Sequence, residues 1–143
     1  MKIHLTNQGN LRNFQSFTKS LNLSNPARLE ISTHEKWVTV HPANLVLTAA
    51  LALQTGRNNT IFVGKVPDSG RYLDRMGLYD LTSTPSPFKY HPKEESGRFV
   101  PIRIIKSSAD QSQFIADIIP LLHLTENNAT VVKYIIGELV RNV

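Results

Sequence analysis

Residues 42–66 read PANLVLTAALALQTGRNNTIFVGKV, and this stretch decides the fold class. Pro42 suits the first position of a helix, where its fixed φ and missing N–H cost nothing. Ala43 to Thr55 is rich in Leu and Ala and runs into Gly56, a residue suited to closing a helix. Leu45, Val46, Leu47, Ala49, Ala50, Leu51, Ala52 and Leu53 cover nearly every face, which predicts a helix that is buried or laid on a sheet. Asn58-Asn59 makes a turn. Thr60 to Val66 then gives a near-continuous apolar run, which predicts a central strand covered on both faces. A helix crossing between two strands implies that they are parallel, so the expected class is α/β.

Upstream, Arg28 to Ser32 alternates polar and apolar residues as a half-buried strand does. Trp37 to Val40 is aromatic and β-branched, which predicts a second strand, and His34-Glu35-Lys36 would be the turn of a hairpin joining the two. Trp37 is expected to lie in the sheet. Downstream, Ser69 can cap a helix over Arg71 to Met76, with Tyr72, Leu73 and Met76 on one face and Gly77 at its end. Leu78 to Leu81 should pack after it. The segment from Thr82 to Gly97 holds Pro85, Pro87 and Pro92 among Ser and Thr and reads as a linker. The expected organisation is therefore a first domain over 1–92, with 1–27 as an extension, and a second part over 93–143.

In that second part, Phe99 to Lys106 is predicted as a strand through Val100, Ile102, Ile104 and Ile105. Ser108 and Gln111 have the spacing of a capping box, followed by the apolar stripe Phe114, Ile115, Ile118 and Ile119. Pro120 should end that helix, and His123 to Asn128 should turn. Ala129 to Val143 carries the clearest helical pattern, with Val131, Ile135, Leu139 and Val143 in one row and Val132, Ile136 and Val140 in the next. Exposed together, these rows would form an unfavourable patch, so the last two helices are expected to dock on the first domain or on another copy of the chain.

With 143 residues, 41% hydrophobic and 19% charged, the chain has the make-up of a globular protein that needs no staples. Cysteine is absent, which removes disulfides and thiolate metal sites and fits a reducing compartment. The first residues lack the features of a secretory signal, and the longest apolar stretch, 43–53, is shorter than the roughly 20 residues of a membrane span. A cytoplasmic location is expected, without a membrane partner. The net charge of +5 is spread over single Lys and Arg residues, which argues against a nucleic-acid interface. The five histidines are scattered without metal-ligand spacing, and Gly64-Lys65 lacks the remainder of a phosphate loop. His41 reads as a polar residue at a helix entry. Tyr72, Met76 and Tyr79 read as core or interface.

Chemistry is best placed at Gly137-Glu138-Leu139-Val140-Arg141-Asn142. Glu138 and Asn142 stand four apart, so on a helix both project from one side. A carboxylate can orient or deprotonate an attacking water. An amide oxygen one turn away can ligate Mg²⁺, which prefers oxygen donors. This pairing makes sense only beside a nucleotide.

Glu138-Leu139-Val140-Arg141-Asn142 resembles the N-box, Glu-Leu-x-x-Asn, of the GHKL ATPases, the superfamily that includes histidine kinases and the anti-sigma-factor serine kinases. The expected order of strand 99–106, capped helix, short turn and N-box helix is similar to the opening of the smaller members. The resemblance implies that Glu138 is the base or water-orienting residue and Asn142 the Mg²⁺ ligand and ATP contact, in a parent ATPase or serine/threonine kinase. The family's Asp-x-Gly-x-Gly turn occurs nowhere in the chain. The 143 residues are therefore expected to be a truncated, catalytically incomplete portion without a cofactor of their own, ATP and Mg²⁺ belonging to the parent.

Residues 28–81 resemble the STAS domains of anti-sigma-factor antagonists. The expected order of strand, strand, helix, strand, helix fits, and Tyr72-Leu73-Asp74-Arg75-Met76-Gly77-Leu78-Tyr79-Asp80-Leu81 is similar to the segment that closes their second helix. Where phosphorylatable members carry a hydroxyl, this chain has His41-Pro42-Ala43-Asn44, so no phosphorylation switch is expected there. The implied function is a bacterial regulatory module that binds a protein partner, joined to the start of a GHKL ATPase. The alternative is a self-contained STAS-like interaction domain in which strand 99–106 and the last two helices complete one sheet. A basic nucleic-acid-binding domain is the third class.

Overall fold

The computed structural model describes residues 1–5, 14–89 and 99–141. The chain divides into two compact units, Met1–Pro92 and Lys93–Val143.

The first unit is built on a three-stranded, wholly parallel sheet in the order β1 (Lys2–Leu5), β2 (Leu29–Thr33), β3 (Thr60–Val63). β2 alternates with period two: Leu29, Ile31 and Thr33 are buried, while Glu30 and Ser32 point to the other face. The register sets Ile3 beside Ile31 and Ile31 beside Phe62. On the opposite face the rungs between β1 and β2 are polar, while Ile61 and Val63 stand opposite Glu30 and Ser32. Lys2 pairs with Glu30 at 3.3 Å, and His4 Nδ1 lies 3.0 Å from Ser32 Oγ.

Parallel neighbours need crossovers, and two helices supply them. α1 (Phe14–Ser20) lies between β1 and β2 and buries Phe17. It is tied to β1 by the His4 N–H, which donates to Ser20 Oγ at 3.1 Å. α2 (Pro42–Thr55) lies between β2 and β3 and begins and ends where its sequence predicts. His41 caps it, its Nδ1 accepting the Ala43 N–H at 3.2 Å. Gly56 closes it at φ 88°, a conformation that favours glycine. α3 (Arg71–Arg75) and α4 (Leu78–Thr82) follow, separated by Gly77 at φ 77°.

Four expectations are corrected in this unit. Trp37–Val40 is not a strand of the sheet, and there is no hairpin. Both edges of β2 are already taken by β1 and β3, so Trp37–Val40 finds no ladder there. Val38 and Val40 are buried all the same, while Trp37 is 58% exposed rather than packed in the sheet. Residues 1–27 are not merely an extension, since Lys2–Leu5 is an edge strand. Ser69 does not cap α3; its Oγ accepts the Val38 N–H at 2.8 Å and so holds the 37–40 segment down. Finally, β3 is not a central strand: among the described residues it lies at one edge of the sheet and stops at Val63, which is 38% exposed. α2 buries Asn44, Leu45, Thr48, Ala49, Ala52 and Thr55 and turns Val46, Leu47 and Leu53 outward.

In the second unit α5 (Ser108–Ile118) runs into a 3-10 turn at Ile119–Leu122, as Pro120 requires, and α6 (Glu126–Arg141) follows. Here too the structure departs from the expectation. Residues 99–106 join no β-ladder among the described residues, so strand 99–106 is not formed and cannot complete a common sheet. Pro101 lacks a ladder donor, and the segment is held by side chains instead. Arg103 Nη1 donates to Asp117 Oδ2 at 2.7 Å, and the Lys106 N–H donates to Asp110 Oδ2 at 3.0 Å. The cap of α5 is Ser107, whose Oγ accepts the Asp110 N–H at 3.1 Å, one residue earlier than expected. Asp110 is held below its ordinary range by the Lys106 N–H and the Ser107 hydroxyl, and Asp117 by Gln113 and then Arg103.

Tyr79 is buried at 2% exposure, its ring centroid 4.6 Å from that of Phe62 and 6.4 Å from that of Phe88. Burial, with the charge of Asp74 adding to it, pushes its phenol well above the usual range. Its hydroxyl has no hydrogen-bond partner among the described residues. Removing an unsatisfied buried hydroxyl while keeping the ring should be neutral or favourable. Tyr79→Phe is therefore expected to hold or raise stability by up to about 1 kcal/mol in urea unfolding, whereas a loss of that size would mean the hydroxyl is bonded.

Candidate functional site

α6 meets α5 at Gly137. Gly137 is the buried residue of α6, and its carbonyl accepts the Gln111 Nε2–H at 2.8 Å. Gln111 thus bridges the two helices rather than reaching back to the cap as the capping box implied. The Gln111 bond to the residue 137 carbonyl marks the side of α6 that faces α5. Val132, Ile136 and Val140 become half-buried, while Val131, Ile135 and Leu139 stay 57%, 48% and 65% exposed. Tyr134 is exposed as well. The row expected to dock is therefore uncovered in the single chain.

Glu138 follows the glycine and stands at the edge of this row. Its Oε1 accepts a hydrogen bond from Arg141 Nη1 at 2.7 Å, an i,i+3 ion pair at the surface. The spacing of this pair was visible in the sequence, but its consequence was not: the carboxylate expected to act on a water already has a cationic partner. Asn142, the other expected site residue, lies outside the described residues. A cleft of about 490 Å³ runs along the two helices, with Ser108, Ser112, Lys133, Tyr134, Glu138 and Arg141 among its lining. Lys133 and Tyr134 were missed at the sequence level, since neither belongs to the motif and only the rotation of α6 brings them to the cleft.

Elsewhere the expected residues are dispersed. His41 is a helix cap, Met76 and Tyr79 are core, and Tyr72 is half-buried. No group of three His, Asp or Glu residues could hold a metal ion among the described residues. No helix among them is long and apolar enough to cross a membrane. No protein-family model, curated protein or solved structure matches the chain.

Gly137 has neither a backbone nor a steric reason to be glycine. A Cβ there would meet Gln111 Nε2 and Ile115 Cδ1 at 3.8 Å, ordinary van der Waals contact. Glycine inside a helix costs about 1 kcal/mol relative to alanine. Gly137→Ala should stabilise the second unit by about that amount in thermal or urea unfolding. A destabilised variant would contradict this packing of α5 on α6.

Proposed function

We propose that the chain is a regulatory, protein-interaction module of a bacterial signalling protein of the GHKL type. Residues 1–92 serve as a STAS-like binding unit and residues 93–143 as the opening of an ATPase fold. One observation carries the reading. α6 turns a glycine to its neighbour helix and leaves Val131, Ile135 and Leu139 exposed in a row, with Glu138 at the edge of that row. An N-box helix would lay such a face on a sheet and hold its glutamate beside a nucleotide. The helix α5, the turn at Pro120 and the helix α6 follow one another as that reading expects, while the strand over 99–106 expected before them is not formed. In the first unit, the segment Tyr72–Leu81 keeps its resemblance to STAS domains, while the element order that supported it now begins with β1 and lacks the hairpin.

Nucleotide chemistry is not assigned to these residues by themselves. The Oε1 of Glu138 is engaged by Arg141, and the described donors do not assemble around a cation. A Mg²⁺ ion would need Asn142 together with phosphate oxygens, and the turn that would hold the adenine is absent from the 143 residues. What the exposed faces support is binding of another polypeptide.

The alternative of one self-contained sheet is not favoured, because residues 99–106 form no ladder among the described residues. Calorimetric titration of the 143-residue chain with Mg-ATP is expected to give no saturable heat, and a micromolar Kd would contradict the proposal. In a longer natural polypeptide carrying these residues, Glu138→Ala should lower ATP turnover at least about 100-fold while nucleotide binding persists. Unchanged turnover would remove Glu138 from the site.

A further inference from the structure

In the second unit, residues 100–106 have the sequence of a strand and the backbone partners of none. Val100, Ile102, Ile104 and Ile105 are β-branched, and residues 100–105 are half-buried. Among the described residues, no backbone N–H or C=O of residues 100–105 takes a hydrogen bond within the chain. A strand is normally held through those groups. Here they are left to water, and the polar ties come from side chains of α5.

The two ties are unlike. At the near end the Lys106 N–H donates to Asp110 Oδ2 at 3.0 Å, and the Asp110 N–H donates to Ser107 Oγ at 3.1 Å. Both bonds are local and belong to the cap of α5, so they persist wherever α5 is helical. At the far end Arg103 Nη1 donates to Asp117 Oδ2 at 2.7 Å. Gln113 Nε2 donates to Asp117 Oδ1 at 2.7 Å and orients the carboxylate. The Arg103 and Asp117 side chains are 29% and 32% exposed, so this pair is more withdrawn from water than the one between Arg141 and Glu138.

The spacing of the ties fixes the path of the segment. Asp110 and Asp117 stand seven residues apart on the helix, about 10.5 Å. Lys106 and Arg103 stand three residues apart, about 10 Å in an extended chain. The matching lengths stretch the segment along α5, running opposite to it.

We propose that residues 100–106 are a releasable strap, with the Arg103–Asp117 pair as its latch and the cap at Ser107 as its hinge, which opens while α5 and α6 stay folded. Opening breaks one side-chain pair and no backbone bond of either helix. Closed, the segment is fixed to α5. Open, it is a stretch of unpaired backbone with strand-forming side chains, the form that adds to the edge of a sheet. The strap follows from the geometry of the second unit and does not depend on nucleotide binding.

Trypsin reads the opening directly, because the latch residue is one of its targets. Cleavage needs a detached, extended chain, so its rate follows the population of the open form. Initial rates of cleavage of the intact 143-residue chain are measured by mass spectrometry at Arg103–Ile104 and at Lys133–Tyr134, for the wild type and for Asp117→Asn. Lys133 lies in α6, so cleavage there reports opening of the helices themselves. Asp117 is remote in sequence from both bonds, so the substitution leaves their intrinsic susceptibility unchanged. In the wild type, cleavage at Arg103 is expected to outrun that at Lys133 by at least about tenfold, the weight of one charge-assisted hydrogen bond. In Asp117→Asn the rate at Arg103 should rise about tenfold more, with the rate at Lys133 unchanged. Equal wild-type rates at the two bonds would mean that the unit opens as one and would overturn the strap. An Arg103 rate indifferent to Asp117→Asn, or one that rises only in step with Lys133, would do the same.

Discussion

The first unit depends on β2 having a parallel neighbour on each side. Leu29, Ile31 and Thr33 present one face to the core, and Ile31 sits between Ile3 on β1 and Phe62 on β3. Parallel pairing forbids tight turns between these strands, so each connection must travel away from the sheet and return. α1 and α2 are those connections. The position of α2 follows from this, and so does the assignment of its Leu45 and Ala49 side to the core and its Val46 and Leu47 side to solvent. Once β1 and β3 flank β2, the segment around Trp37 has no edge of β2 to join. It is kept in place by the buried Val38 and Val40 and by the hydroxyl of Ser69.

The second unit depends on a smaller feature, the approach of Gly137 to Gln111 and Ile115. That contact marks the side of α6 that faces α5. Val131, Ile135 and Leu139 point outward, and Glu138 stands at the boundary between the cleft and the exposed row. The Arg141 guanidinium then occupies the carboxylate. A surface pair of this kind contributes little to stability. The two units thus have one property in common: each shows an outward apolar stripe on its longest helix.

Legibility in the sequence followed the range of the forces involved. α2 was readable because its boundaries are local: Pro42 at one end, Gly56 at the other, Leu and Ala between. The end of α5 at Pro120 was readable for the same reason, and β2 was betrayed by its alternation, whereas α6 begins at Glu126, inside the stretch 123–128 expected to turn. β1 was not readable. Lys2–Leu5 offers only Ile3 and Leu5 as inward positions, too short a pattern to register, and pairing with β2 makes it a strand. Trp37–Val40 has strand-forming residues but makes only a single bridge at Val40, and 99–106 forms no ladder among the described residues, which illustrates how strongly strand formation depends on partners. For the candidate site, the position of Glu138 on a helix was legible from spacing. Its pairing with Arg141 and its placement beside Lys133 and Tyr134 depended on the rotation of α6.

The placement of β2 is the claim on which the core of the first unit and the outward face of α2 depend. Nuclear Overhauser contacts across the sheet of the isotope-labelled chain test it most directly. The account predicts side-chain contacts between Ile3 and Ile31 and between Ile31 and Phe62, with the cross-strand backbone pattern of parallel strands on both sides of Leu29–Thr33. An antiparallel backbone pattern linking residues 29–32 to residues 37–40 would restore the hairpin and contradict the account.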